Sequence, residues 1–179
     1  MKKFAIGALV LSISLAACGT QSPSAPAPEA SGTPSSLEDH STLIAQGPIE
    51  RIQLKLNPQP GQLTPQEIVY CSKQPQVRKA WPSGRAFARL VMTCQSGTKM
   101  GSPTGRAEIT NPYTGEFSRG SNFYKDFFNP TVSVDSNQVS YNSTYRYYEV
   151  EGVLESNVTY GTSSGLVSYI QDPIQIAVQ

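Results

Sequence analysis

Residues 131–178 read TVSVDSNQVSYNSTYRYYEVEGVLESNVTYGTSSGLVSYIQDPIQIAV, and this stretch decides the fold class. Valine, isoleucine, threonine and tyrosine recur with a period close to two, the spacing of strands that bury one face. The strand-like runs fall at residues 131–134, 138–150, 153–160, 165–170 and 174–178. Between them stand Asp-Ser-Asn, Glu-Gly, Gly-Thr-Ser-Ser and Asp-Pro, turn formers that supply glycine or an Asx side chain where the chain reverses. Short turns between successive strands predict an antiparallel meander.

Working outward, residues 86–94, AFARLVMTC, form the strongest core strand. Ala86, Ala88, Leu90, Met92 and Cys94 share one face. Phe87, Arg89, Val91 and Thr93 share the other, so both faces are expected to be at least partly covered. Residues 48–56 also alternate, with Ile52, Leu54 and Leu56 opposite Gln53 and Lys55, before Asn-Pro-Gln-Pro-Gly breaks the chain. The helical exception is 121–128, where Phe123, Tyr124, Phe127 and Phe128 fall at helical spacing ahead of Asn129-Pro130 and predict one turn plugging an end of the core. The region 48–179, about 130 residues, has the length of one domain with one core. The expected fold is all-β: an antiparallel β-sandwich-like single domain with a short helical turn.

The N-terminal part is of another kind. Lys2 and Lys3 precede an almost wholly apolar run at residues 4–17, too short to span a bilayer comfortably, which ends in Leu15-Ala16-Ala17-Cys18. This is the layout of a secretory signal peptide, and Leu-Ala-Ala-Cys resembles the lipobox of bacterial lipoproteins. The resemblance covers the first eighteen residues and implies cleavage before Cys18, with a lipid such as palmitate on its thiol. Gly19, rather than aspartate, follows the cysteine. That favours the outer membrane in a cell with two membranes, and otherwise the outer face of the plasma membrane. The expected organisation is a signal peptide at 1–17, the lipidated cysteine and a Ser/Pro/Ala-rich, disordered tether at 18–47, and a β-rich domain at 48–179. Within the tether, Ser36 and Asp39 make a capping-box pattern that predicts a short helix over 36–45.

Three cysteines is an odd number, and lipidating Cys18 leaves Cys71 and Cys94 as a pair. Export places that pair in an oxidising compartment, which predicts a disulfide. With His40 the one histidine, and that in the tether, neither a zinc shell nor a Ser-His-Asp triad can be assembled in the domain. No metal, cofactor or catalytic residue is expected. The sequence Asn-Ser-Thr at 142 and Asn-Val-Thr at 157 matches a glycosylation acceptor but is explained by polar strand faces.

Two features point to binding. In an extended strand Val139, Tyr141, Tyr145 and Tyr147 occupy one face, and exposed tyrosines suit carbohydrate stacking or protein contact. The second is charge asymmetry: Arg51, Lys55, Lys73, Arg78, Lys79, Arg85, Arg89, Lys99 and Arg106 precede Glu108, whereas eight acids and three bases occupy the chain from Glu108 onward. If the halves interleave, these charges complement one another; if not, a basic face including Arg85 and Arg89 is left for an anionic partner. The expected function is a noncatalytic binding or assembly component of the cell envelope, contacting a protein or polysaccharide. A formal net charge of +1 and export argue against nucleic acid. Two alternatives stand beside it. Ser96 and Lys99 fit the S-x-x-K pattern of serine β-lactamases and penicillin-binding proteins, which implies an envelope hydrolase or transferase. A sheet core can also hold a small apolar ligand.

Overall fold

The computed structural model describes residues 40–58, 60–61, 66–126 and 129–178. Residues 1–39, with the expected signal peptide, Cys18 and most of the expected tether, lie outside them. The described chain is all-β, with strands β1 Thr42–Gln46, β2 Glu50–Pro58, β3 Glu67–Lys79, β4 Ala86–Cys94, β5 Lys99–Met100, β6 Thr104–Asn111, β7 Glu116–Gly120, β8 Asn122–Asp126, β9 Thr131–Asp135, β10 Tyr147–Tyr160 and β11 Ser163–Ala177.

Nine strands form an antiparallel path in the order β7-β6-β10-β11-β2-β3-β4-β9-β8, with β1 added to β3 and β5 to β10. The two ends of the path, β7 and β8, are separated in sequence by Ser121 alone. The chain itself therefore crosses the remaining gap, and the sheet is a nearly closed barrel rather than two separate layers. Asn137 fastens the corner by donating from Nδ2 to the Arg119 carbonyl at 2.7 Å, and the Ser121 hydroxyl donates to the Gly105 carbonyl at 2.9 Å. Closing the sheet covers backbone edges that would otherwise invite pairing with other chains.

The β4 expectation holds residue by residue: Ala86, Ala88, Leu90, Met92 and Cys94 are all buried. They meet Tyr148, Leu154 and Val158 of β10, Val167 and Tyr169 of β11, and Val132 and Val134 of β9 in one continuous core. Three expectations are corrected. Residues 122–126 are strand, not helix, because pairing with β9 completes the sheet and seats Phe123 against the core; Phe127 and Phe128 lie outside the described residues. Thr42–Gln46 is likewise strand, paired with β3, so the domain begins ahead of residue 48. The turns expected at Glu151-Gly152 and Asp172-Pro173 are facing irregularities in two long strands. Val150 pairs with Ile174 and Gly152 with Gln171, which leaves Asp172 and Pro173 bulged opposite Glu151. A bulge tolerates the proline nitrogen that a regular ladder would not.

The same logic hides β3. Pro75 stands in its middle, but the Pro75 carbonyl accepts from the Gly47 N–H at 2.8 Å, so its nitrogen edge faces the junction between β2 and β1. No ladder bond is lost there.

Cys71 and Cys94 are opposite each other on β3 and β4 and form a disulfide across 23 residues of chain. Closing a loop of that length restricts the unfolded chain by about 3 kcal/mol. Reduction, or Cys71→Ser with Cys94→Ser, is expected to lower unfolding free energy by about that amount. Urea titration with and without a reductant measures it, and coincident curves would show that the bond contributes nothing.

Candidate functional site

The loops at one end of the barrel bring the aromatic residues together. This end comprises the β3–β4 connection at 80–85, the β6–β7 turn at 112–115 and the long connection from β9 to β10 at 136–146. The row of tyrosines expected on one extended strand does not form, because the chain turns at 142–145. The Tyr145 N–H donates to the Asn142 carbonyl and the Thr144 N–H to Asn142 Oδ1, an Asx turn. Tyr141 and Tyr145 lean partly onto the core, and Tyr147 opens β10 half-buried.

The turn nevertheless builds an aromatic surface. Tyr113, from the tip of the β6–β7 hairpin, stacks on Tyr145 with ring centroids 4.8 Å apart and planes 2° from parallel. Its other neighbour is the tilted ring of Tyr147 at 5.6 Å. Tyr113 remains 45% exposed, and Trp81, on the β3–β4 connection, is 71% exposed. Lys79 sets its ammonium 5.1 Å from the centre of the Tyr141 ring. Neither Tyr113 nor Trp81 was expected from the sequence as a site residue. The signal for Tyr113 is Asn-Pro-Tyr-Thr-Gly at 111–115, a turn signature that puts the ring at a hairpin tip.

A polar network holds this surface rigid. Ser140 donates to Glu116 from both its main-chain N–H, at 2.5 Å, and its hydroxyl. Asn111 donates to the Ser140 carbonyl at 3.0 Å, as does the buried Tyr148 hydroxyl at 3.0 Å. Asn111 Oδ1 in turn accepts from the Tyr113 N–H, and the Tyr113 hydroxyl accepts from the Arg146 N–H. Arg85 pairs with Glu116 at 3.0 Å. Burial pushes the Tyr148 hydroxyl well above the ordinary tyrosine range, so it stays a donor.

The Ser140 bonds, with Arg85 assisting, hold the Glu116 carboxyl at about 2. A carboxylate depressed in the folded state stabilises above its ordinary range near 4.5 and ceases to do so as pH falls towards 2. Stability measured by urea titration is expected to drop across that window, and less steeply in Glu116→Gln. Equal slopes would remove Glu116 from the network.

Of the basic candidates, Arg85 is half-exposed at this end, but Arg89 is not available to a partner. It is 8% exposed and gives a two-pronged ion pair to Asp135, Nε to Oδ1 at 2.6 Å and Nη2 to Oδ2 at 2.7 Å. The reason is register: Arg89 of β4 stands directly opposite Asp135 of β9, and the guanidinium lies between the Phe87 and Tyr124 rings. Arg85–Glu116 and Arg89–Asp135 also show that the basic first half and acidic second half interleave. Arg85, Arg89 and Arg106 of the first half meet acids of the second in this way, so part of the charge asymmetry is met within the fold.

Ser96 and Lys99 lie at the other end. Ser96 and Gly97 occupy a turn closed by the Thr98 N–H on the Gln95 carbonyl, and Lys99 opens β5. A serine and lysine three apart stand side by side on a helix; this segment is a turn leading into a strand. Among the described residues, no group of histidine, cysteine and acidic side chains is placed to hold a metal. Comparison with protein-family models, with curated proteins and with solved structures finds no match to this chain.

Proposed function

We propose that the chain is a lipid-anchored lipoprotein of the cell envelope whose β domain is a noncatalytic binding component, holding an envelope polysaccharide against its aromatic end. The observation that carries this is the Tyr113–Tyr145 stack, with Tyr113 45% exposed and its N–H held by Asn111, which is tied in turn to Ser140 and Glu116. A rigid aromatic plane presents apolar area at little entropic cost and leaves hydroxyls at its rim, which suits the faces and edges of sugar rings. Trp81 adds a second exposed ring, and Arg146 is exposed beside Tyr145 and Tyr147. The anchor at Cys18 places the domain at the outer membrane of a two-membrane cell, or on the outer face of a single plasma membrane.

Co-sedimentation with purified envelope polysaccharide tests this. Tyr113→Ser with Tyr147→Ser, and separately Trp81→Ser, are each expected to weaken binding about tenfold, close to 1.4 kcal/mol. Trp81→Ser is expected to leave the thermal midpoint unchanged, since the ring is mostly in solvent. Binding by both variants equal to the parent would refute the assignment. Cys18→Ser is expected to move the protein from the membrane pellet to the soluble fraction.

A protein partner is the second reading, favoured by Ile68 and Tyr70 of β3 and Leu166 and Ile170 of β11, all exposed on strands flanking β2. Their rings and aliphatic chains flank the exposed Arg51, Gln53 and Lys55 of β2, a mixed apolar and basic face of the kind a protein partner covers. Crosslinking in intact envelopes separates the two, because capture through Tyr70 or Leu166 but not through Trp81 selects the protein.

A further inference from the structure

Three buried side-chain oxygens among the described residues have no hydrogen-bond partner: Glu67 Oε2, Thr98 Oγ1 and Ser163 Oγ. Register puts all three at the barrel end opposite the aromatic surface. Thr98 precedes Lys99, which pairs with Thr159, and the next residue of β10, Tyr160, pairs with Ser163 at the start of β11. Ser163 also pairs with Pro58, two residues beyond Leu56, the partner of Glu67. Buried polar atoms are nearly always paired, and of these three Thr98 is the one whose side chain lines an open cleft.

The same end opens into a cleft of about 810 Å³ between the turn at 95–98, β5 and the strands β8 and β9. That volume accommodates a small organic molecule, and barrel mouths are common places for one. The Lys99 and Lys125 side chains line it together with Ser96 and Thr98. Thr98 is 7% exposed, its hydroxyl has no partner, and the residue lines the cleft. Lys99 makes no ion pair with any described residue. The one carboxylate on the described wall, Asp126, already accepts from the Asn129 N–H and from Asn129 Nδ2.

We infer that this cleft binds a small oxyanion-bearing molecule, a phosphate or carboxylate, whose charge is met by Lys99 and Lys125 and whose oxygens accept from the Ser96 and Thr98 hydroxyls. The role of Lys99 is that of a cationic clamp, not of a base for Ser96, and the site is separate from the aromatic end. Backbone amide chemical shifts of the Cys18→Ser chain, titrated with inorganic phosphate or sodium acetate against sodium chloride at equal ionic strength, test it. Saturable shifts centred on Gly97, Thr98 and Lys99 are expected for at least one oxyanion and not for chloride; the tighter of the two names the group. Lys99→Ala with Lys125→Ala is expected to weaken binding at least tenfold and Thr98→Val several-fold, with unchanged shifts at Trp81 and Tyr113, whereas Lys55→Ala on β2 has no effect. Responses that fail to saturate, that match chloride, or that survive in the double lysine variant overturn the assignment.

Discussion

Asp135→Ala is expected to lower the unfolding free energy by about 3–5 kcal/mol, because it leaves the Arg89 guanidinium buried without its counter-charge. The pair is almost sealed: both side chains are under a tenth exposed, and the Phe87 and Tyr124 rings cover the guanidinium. Water cannot replace the carboxylate without displacing those rings. The cost belongs to the broken pair and not to the absence of a pair, so Arg89→Met with Asp135→Leu is expected to recover most of it. Chemical denaturation of Arg89→Met, of Asp135→Leu and of the double variant closes the cycle. A double variant as unstable as the sum of the singles would show that the ions contribute more than their own desolvation. Arg89 therefore matters to the domain as a clasp between β4 and β9, not as a contact for a partner.

The strand content was legible where core-facing apolar residues recur at every second position. Residues 86–94 show it on both faces, since Leu90 and Met92 go to the core while Phe87 and Arg89 are covered from outside. Legibility failed where one residue type serves two purposes. Glu151-Gly152 and Asp172-Pro173 have turn chemistry, yet here they bulge two paired strands, and nothing local distinguishes a bulge from a reversal. Pro75 masked β3 because only the pairing of β1 and β2 on either side shows that its missing N–H is harmless. The aromatic spacing of Phe123 and Tyr124 suited a helix until the sheet needed a strand to close it. At the site, Tyr145 and Tyr147 could be picked out by composition. Their partner Tyr113 lies more than thirty residues away in sequence, and only the β6–β10 register brings it beside them. The opposing charges of Arg89 and Asp135 were visible, but their pairing was a property of topology.

Gly152→Ala is expected to cost about 3 kcal/mol or more, and to abolish the binding proposed for the aromatic end as well. Gly152 has φ +149°, and a Cβ there would stand 2.3 Å from the Arg106 carbonyl oxygen and 3.0 Å from both Ala107 Cα and Leu90 Cδ1. The first contact is with backbone of the paired strand β6, which cannot move aside without opening the ladder. Two residues along the ladder, Gly105, the partner of Leu154, has φ +126° and would place a Cβ 2.1 Å from the Val153 carbonyl oxygen, so β6 and β10 approach too closely at both glycines for a side chain there. Gly115→Ala separates clash from backbone strain: its φ is +71° and nothing lies within 4 Å of the added methyl, so about 1 kcal/mol is expected from the left-handed conformation alone. Denaturant midpoints of the two variants decide the matter, and a Gly152→Ala protein no less stable than Gly115→Ala would refute the close approach. The functional consequence follows from direction. Tyr147 and Tyr148 lie on the segment of β10 before this bulge, and Tyr113 sits at the end of β6 that pairs with it. Forcing the strands apart at Gly152 pulls Tyr147 from Tyr113 and Tyr148 from the Ser140 carbonyl, so the aromatic surface is expected to be lost by a substitution that touches none of its rings.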